Sequence, residues 1–377
     1  MIYLNYAATS PRKPPCVAEA MVRALEQGSS ARGAGDSDLD AARTIYRARA
    51  SLASLLGFSH PERVVFTANA TQALNTAIFG LLRGGGRVLS TDWEHNSVLR
   101  PLYRVQRERG VALDFVPADP QGRLDPAAFE RLLRPDTRAI VCTHASNLTG
   151  DMNDLAALGR LAAAHGIPLI VDAAQTAGCH PLNMEALGIS VLCFTGHKGL
   201  MGPQGTGGLC VAPGVELEPL ITGGTGVHSY DPTQPQAYPE HLEAGTLNGP
   251  GIAGLGAAAE FLHQVGVEAI CEKEAALTRR FREGACSIPG VTVYGNFSAP
   301  HAPIVLVNLR GWTSDEAADE LSRVYGIAVR AGAHCAPRLH RALGTQQTGA
   351  VRFSFGWYTT GEELDAALMA LQRMAAE

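Results

Sequence analysis

Pro168-Leu169-Ile170-Val171-Asp172-Ala173-Ala174-Gln175, then Ser190-Val191-Leu192-Cys193-Phe194-Thr195-Gly196-His197-Lys198-Gly199, is the stretch that decides the fold class. Each segment is a short apolar run without polar alternation, as a strand covered on both faces reads, and each passes directly into chemically capable residues. Similar runs lie around them at Arg63–Phe66, Arg87–Thr91, Ala112–Val116, Ala139–Thr143 and Gly207–Val211. Between the runs, Ala41, Ile45, Ala48, Leu52 and Leu55 recur once per helical turn, and Ala73, Leu74, Ala77, Ile78, Leu81 and Leu82 do the same. Such alternation predicts an α/β fold with a mainly parallel sheet wrapped by helices. Gly207–Val211 follows its predecessor too closely for a crossover helix, so an antiparallel strand is expected there.

With 46% hydrophobic and 18% charged residues, the 377-residue chain has ample material for a core and is not of a disordered composition. Its 31 basic and 36 acidic side chains leave a net charge of −5, without the basic field of a nucleic-acid binder. No apolar run approaches the ~20 residues that cross a bilayer, and Met1–Asn5 lacks the basic and apolar regions of a secretory signal. The eight cysteines form no C-x-x-C pair, and Cys142, Cys193 and Cys210 sit inside apolar runs as small core residues, so a reduced, cytoplasmic protein is expected.

From Thr222 to Gly251 the composition turns to Gly, Pro, Thr and Tyr, marking a long functional loop. A helical region follows over Ile252–Ser287, then strands near Ile304–Leu309, Ala328–Ala331 and Val351–Phe355, with helices at Ser314–Tyr325 and Gly361–Ala375. The expected division is a large domain over residues 14–250 and a smaller α+β domain over 251–377, joined by residues 1–13.

Four clusters carry candidate chemistry. Lys198 ends an apolar strand between glycines, and the only other lysines are Lys13 and Lys273. A solvated loop lysine is the bland reading; its isolation favours a Schiff base with a carbonyl cofactor. Asp172 ends another buried strand, where open α/β sheets bind ligands, and could either cap a helix or pair with a protonated pyridine nitrogen. Val65-Phe66-Thr67-Ala68-Asn69-Ala70-Thr71 leads into an amphipathic helix that starts near Thr71, where small and hydroxyl residues would present N–H groups to a phosphate, although a threonine there also serves as a plain cap. His95 follows the strand Arg87–Thr91; alone it reads as an ordinary histidine.

Taken in order, these clusters resemble the fold-type I, class V aminotransferase-like enzymes that use pyridoxal 5'-phosphate, and within them the cysteine desulfurase and selenocysteine lyase branch. The resemblance runs from Tyr3-Leu4-Asn5-Tyr6-Ala7-Ala8-Thr9 to Val351-Arg352-Phe353-Ser354. It implies that Lys198 holds the cofactor, that Thr195 and His197 bind its phosphate with Ala70 and Thr71, and that His95 stacks on its ring. Asp172 would pair with the ring nitrogen, Gln175 would reach the ring hydroxyl, and Asn147 would sit beside substrate and cofactor. Thr246, in Leu242–Asn248, would reach the phosphate of a partner subunit, implying a homodimer with shared active sites.

Val329-Arg330-Ala331-Gly332-Ala333-His334-Cys335-Ala336-Pro337 resembles the desulfurase loop whose cysteine accepts sulfur. Read alone, Cys335 could be another core residue; a zinc site with His334 and His340 would lack a fourth ligand and the usual spacing. If Arg330, His334, Arg338 and His340 are also close in space, their positive charge favours the reactive thiolate. Arg352 matches the family's grip on the substrate carboxylate, a bidentate task suited to guanidinium. The family motif Asp-Asn-Ala-Ala-Thr is Asn5-Tyr6-Ala7-Ala8-Thr9 here, and Ala333 replaces a bulkier residue or a second histidine.

The expected activity is therefore desulfuration of L-cysteine to L-alanine with a persulfide on Cys335, passed to a sulfur-acceptor protein. Alternatives using the same residues are a selenocysteine lyase, acting on L-selenocysteine, or an aminotransferase or C–S lyase with Cys335 incidental. A non-catalytic scaffold is opposed by the intact set Lys198, Asp172, His95 and Arg352.

Overall fold

A computed structural model describes residues 1–27 and 35–376. The chain runs through β1 (Ile2–Tyr3), α1 (Pro15–Gln27), α2 (Asp36–Leu55), β2 (Val64–Thr67), α3 (Ala70–Leu81), β3 (Arg87–Thr91), α4 (Asn96–Arg109) and β4 (Ala112–Val116). It continues through α5 (Pro126–Leu132), β5 (Thr137–Thr143), α6 (Leu155–Ala164), β6 (Leu169–Asp172), β7 (Val191–Thr195), β8 (Gly207–Val211), α7 (Gly249–Val265) and α8 (Val267–Cys286). It ends with β9 (Val291–Tyr294), β10 (Ile304–Leu309), α9 (Ser314–Arg323), β11 (Ile327–Ala328), α10 (Pro337–Ala342), β12 (Val351–Ser354) and α11 (Gly361–Ala376).

The central sheet has seven strands in the order β2-β8-β7-β6-β5-β3-β4. Strands β3 to β7 pair in parallel, while β8 is antiparallel to both neighbours, as its short connection requires. On one face Leu52 of α2, Leu56 just beyond its end, and Ile252, Leu255 and Leu262 of α7 cover the strands. On the other, Leu74 and Ile78 of α3 join Val98 and Leu102 of α4. Burial from both sides explains why β6 and β7 are apolar at every position up to Asp172 and Thr195. Cys142, Cys193 and Cys210 are fully buried in these two cores, the place their apolar neighbours predict.

A second, antiparallel sheet, β12-β10-β9, packs on α8 and α11 around Phe281, Phe353 and Phe355, with Leu364 and Leu371 buried against it. β1 pairs in parallel with β11, and Leu4 enters this same core, so the first residues of the chain pack with the last third. The helical region expected over Ile252–Ser287 is two helices, α7 and α8, broken at Gly266 with φ +86°. The strand expected near Ala328–Ala331 is the pair Ile327–Ala328, after which Arg330 makes a single antiparallel bridge to Arg352. Between β8 and α7 no helix or strand forms, in keeping with the turn-rich composition of that stretch. Among the described residues, no helix is long and apolar enough to cross a membrane.

Candidate active site

The carboxyl ends of β3, β5, β6 and β7 open on one side of the central sheet, the side on which open parallel sheets gather their ligands. There a cavity of about 510 Å³ is lined by Ala70, Thr71, His95, Asn147, Asp172 and Gln175, together with Thr195, His197 and Lys198. Nine residues singled out from separate stretches of the sequence thus meet in one place.

Each is positioned by its local structure. Asn69 caps α3 by accepting from the Gln72 N–H at 3.0 Å, which leaves the N–H groups of Ala70 and Thr71, at the first turn, without helical partners. Gly207 keeps the approach open: a Cβ there would meet the Asn69 Cα at 2.8 Å. Thr195 Oγ1 is buried at the end of β7 with no hydrogen-bond partner. A buried hydroxyl without a partner beside an open helix N-terminus is an arrangement that an anion completes.

Asp172 is buried, and its Oδ1 accepts the Ala174 N–H at 2.9 Å. Burial pushes its pKa up, opposed by the Ala174 bond and the charge on Lys198, so a cationic or N–H group brought against it would stabilise the carboxylate. His95 caps α4: its Nδ1 accepts the Ser97 N–H at 3.0 Å. Burial, then the charges of Lys198, Arg330 and Arg352, push this imidazole down to about 4. It is therefore neutral at pH 7, with its proton on Nε2.

The turn carrying Lys198 is clamped from the N-terminal segment. The main-chain carbonyl of His197 accepts from the Ser10 N–H at 2.9 Å, from Lys13 Nζ at 3.1 Å and from Thr9 Oγ1 at 3.2 Å. His197 Nδ1 is 3.0 Å from Thr9 Oγ1. Lys198 itself is half-buried; desolvation, then Arg352, lowers its amine to about 8, against the pull of Asp172. An amine so tuned is in part neutral at pH 7 and can attack a carbonyl. Gln175 donates from Nε2 to the Ala7 carbonyl at 3.2 Å.

Arg352 and Cys335 stand outside the cavity wall but are bonded to it. Arg352 is buried on β12; Nη1 donates to the Asn147 carbonyl at 2.7 Å and Nη2 to Asn5 Oδ1 at 3.2 Å. Burial and the neighbouring Arg330 lower it to about 9, still charged at pH 7. Among the described residues no carboxylate pairs with it. Cys335 is half-buried in a turn where both His334 (φ +48°) and Cys335 (φ +57°) are left-handed. Such conformations cost roughly 1–3 kcal/mol each and persist where the surroundings hold them. Here the Asn96 N–H donates to the Cys335 carbonyl at 2.8 Å, and Asn147 Nδ2 to the His334 carbonyl at 2.7 Å.

The charges around Cys335 differ from those its sequence neighbours suggest. Burial lowers His334 to about 3 and also lowers His340, so both rings are neutral. Arg338 is turned away into an ion pair with Asp92, 2.6 Å, stacked on Phe115. Lys198 and Arg352 are within electrostatic reach of the thiol. Thr246 is exposed before α7 and does not line the cavity.

Two residues of the site have no signal in the sequence. Ser97 lines the cavity, 2.8 Å from Thr71 Oγ1 and 2.9 Å from His95 Nδ1, and reads as an ordinary first-turn residue. Glu94 is fully buried, accepting from Thr91 Oγ1 at 2.6 Å and from the Thr143 N–H at 3.1 Å, and burial raises it to about 8.

Comparison with known proteins agrees with this architecture. Residues 2–367 match the family model described as aminotransferase class-V. A probable cysteine desulfurase of Methanothermobacter thermautotrophicus is 35% identical over 99% of this chain and 94% of its own length. A cysteine desulfurase of Klebsiella pneumoniae is 32% identical over 99% and 93%. Among solved structures, the apo cysteine desulfurase from Thermococcus onnurineus superposes with a TM-score of 0.92 at 32% identity, covering 100% of this chain and 94% of the other. The Escherichia coli cysteine desulfurase CsdA gives 0.87 at 30% identity, covering 98% and 94%. With a match over nearly its whole length, this chain belongs to the aminotransferase class-V family.

Proposed function

We propose that the protein is a pyridoxal 5'-phosphate-dependent cysteine desulfurase that moves sulfur from L-cysteine to Cys335 and releases L-alanine. Within its family, the observation that favours this reaction is the tether of the Cys335 turn to the cavity wall through Asn96 and Asn147. A cysteine that was merely a core filler would need no left-handed backbone and no such anchors.

The residues fit the cofactor. The phosphate suits the α3 N-terminus, the partnerless Thr195 hydroxyl and His197; the ring nitrogen suits buried Asp172; the aldehyde suits the lowered amine of Lys198. His95, neutral, would lie on the ring face, and Gln175 would reach the ring hydroxyl. When bound, the cofactor supplies an electron sink for charge left at a substrate Cα.

The chain's own groups do the rest. Arg352, which no carboxylate among the described residues neutralises, and Asn147 hold the substrate carboxylate. The Lys198 amine takes the Cα proton, and Asp172 keeps the ring nitrogen protonated. Cys335 Sγ bonds to the substrate sulfur as the substrate Cβ–S bond breaks, and the carbon fragment takes up a proton and leaves as L-alanine. L-cysteine and a thiol thus become L-alanine and a persulfide, with no external oxidant. The half-buried position of Cys335 suits handing the sulfur to an acceptor protein.

Thr246 would serve a partner subunit's phosphate in a homodimer, in keeping with its exposure and distance from its own cavity. Two domains are proposed as expected, but with their boundary after α7 rather than at residue 250, because Ile252, Leu255 and Leu262 of that helix cover the central sheet; residues 1–13 go with the smaller domain, supported by the β1–β11 pairing. Eight free cysteines suit a reducing, cytoplasmic setting. The test is product analysis with L-cysteine: alanine and reducible sulfur in equal amounts from the wild type, and neither product nor a covalently held chromophore from Lys198→Ala. Full turnover by Lys198→Ala would refute the reading.

A further inference from the structure

Among the described residues β2 ends the central sheet, and one of its edges meets no strand. On that edge the Phe66 N–H donates to Glu243 Oε1 at 2.6 Å, and the Val64 carbonyl accepts from Arg49 Nη1. Arg49 and Glu243 also bind each other as a fork, Nη1 to Oε1 at 2.7 Å and Nη2 to Oε2 at 2.5 Å. Together they make the two bonds that one residue of a neighbouring strand would make. The guanidinium lies 4.6 Å over the Phe66 ring, and both side chains are only 5% exposed.

A buried ion pair of this kind adds little net stability, because desolvating both charges offsets their attraction. What it does supply is placement. β2 leads through Thr67 and the Asn69 cap to Ala70 and Thr71, the phosphate end of the cavity. Glu243 lies three residues before Thr246, on a stretch without regular structure. That stretch is pinned just upstream by His241, whose ring lies with its nitrogens 2.7 Å from the Pro235 carbonyl and 2.8 Å from the Leu217 carbonyl.

We infer that Arg49 and Glu243 are positioning residues: they hold the segment 242–248 in register with the strand that presents α3, and so set the geometry of the phosphate site. This rests on the reading that Thr246 contacts the partner subunit's phosphate. The latch then ties the strand serving a subunit's own phosphate to the segment serving its neighbour's.

The test is equilibrium binding of pyridoxal 5'-phosphate, and of pyridoxal lacking the phosphate, to cofactor-stripped full-length protein carrying Glu243→Gln, Arg49→Lys or Thr246→Ala. Both latch variants are expected to weaken phosphorylated cofactor about tenfold, a mid-range coupling between contacting residues, and to leave pyridoxal within about twofold. Arg49→Lys keeps the charge and loses the fork, so it carries the test if Glu243→Gln does not fold. If Thr246→Ala loses affinity while both latch variants bind as wild type, the latch is refuted. Equal loss of both ligands in the latch variants also refutes it, since that is general loosening. An unaffected Thr246→Ala overturns the Thr246 reading itself.

Discussion

The main-chain carbonyl of Asn147 accepts from Arg352 Nη1 at 2.7 Å, while the Asn147 side chain donates to the His334 carbonyl at 2.7 Å. One residue on the loop after β5 thereby joins Arg352 to the Cys335 turn, two features separated in the sequence from one another and from Lys198. On the proposed roles of Arg352 and Cys335, substrate grip and sulfur acceptance would share a support.

Asn147→Ala is expected to slow persulfide formation on Cys335 in a single turnover by on the order of 10²-fold, the cost of misplacing a reacting group by about an ångström. The buried His334 carbonyl would lose its side-chain donor, a loss of about 1–3 kcal/mol that loosens the turn. Quenching with an alkylating agent and weighing the Cys335 peptide measures this. An unchanged rate would mean that the turn is held by other contacts.

Asn5 accepts from Arg352 Nη2 at 3.2 Å, and it stands where the family motif has an aspartate. An amide leaves the guanidinium charge free for a substrate carboxylate. Asn5→Asp would supply an internal carboxylate, and the change from a neutral to a charge-assisted bond is worth about 1 kcal/mol or more. KM for L-cysteine should therefore rise roughly five- to tenfold, with kcat little changed. Steady-state kinetics with an equal or lower KM would contradict the clamp.

Burial and Arg352 lower the Lys198 amine to about 8, and only the neutral amine captures an aldehyde. At pH 7 about a tenth of it is neutral, far more than for an ordinary lysine near 10.4. Covalent capture of cofactor by stripped protein should rise about tenfold per pH unit up to about pH 8 and then level off. Stopped-flow absorbance follows this directly. A rate still climbing between pH 9 and 10 would show an unperturbed lysine.

Much of this site was legible because it is built on strand ends. An apolar run that stops at Asp172 or Thr195-Gly196-His197-Lys198 marks both the end of a buried strand and the start of chemistry, and the parallel sheet brings such ends together. Gly207–Val211 was legible as antiparallel from connection length alone. What was not legible depends on contacts distant in sequence. Arg338 follows Cys335 closely, yet its charge is taken up by Asp92 from the loop after β3. His334 and His340 look like cations in sequence and are neutral because the fold buries them. β9 was missed because Val291–Tyr294 is short and not fully buried. The break at Gly266 between α7 and α8 is not legible in Ile252–Ser287, because the apolar pattern continues on either side of it.

The proposed function stands or falls on whether Cys335 takes the sulfur. The most direct measurement is alanine release and trapped persulfide from L-cysteine, for wild type beside Cys335→Ser, both loaded with cofactor. Equimolar alanine and Cys335 persulfide are expected from the wild type; in Cys335→Ser the cofactor spectrum should be retained while persulfide is absent and alanine release collapses. Undiminished alanine release by Cys335→Ser, with sulfur leaving by another route, would contradict it.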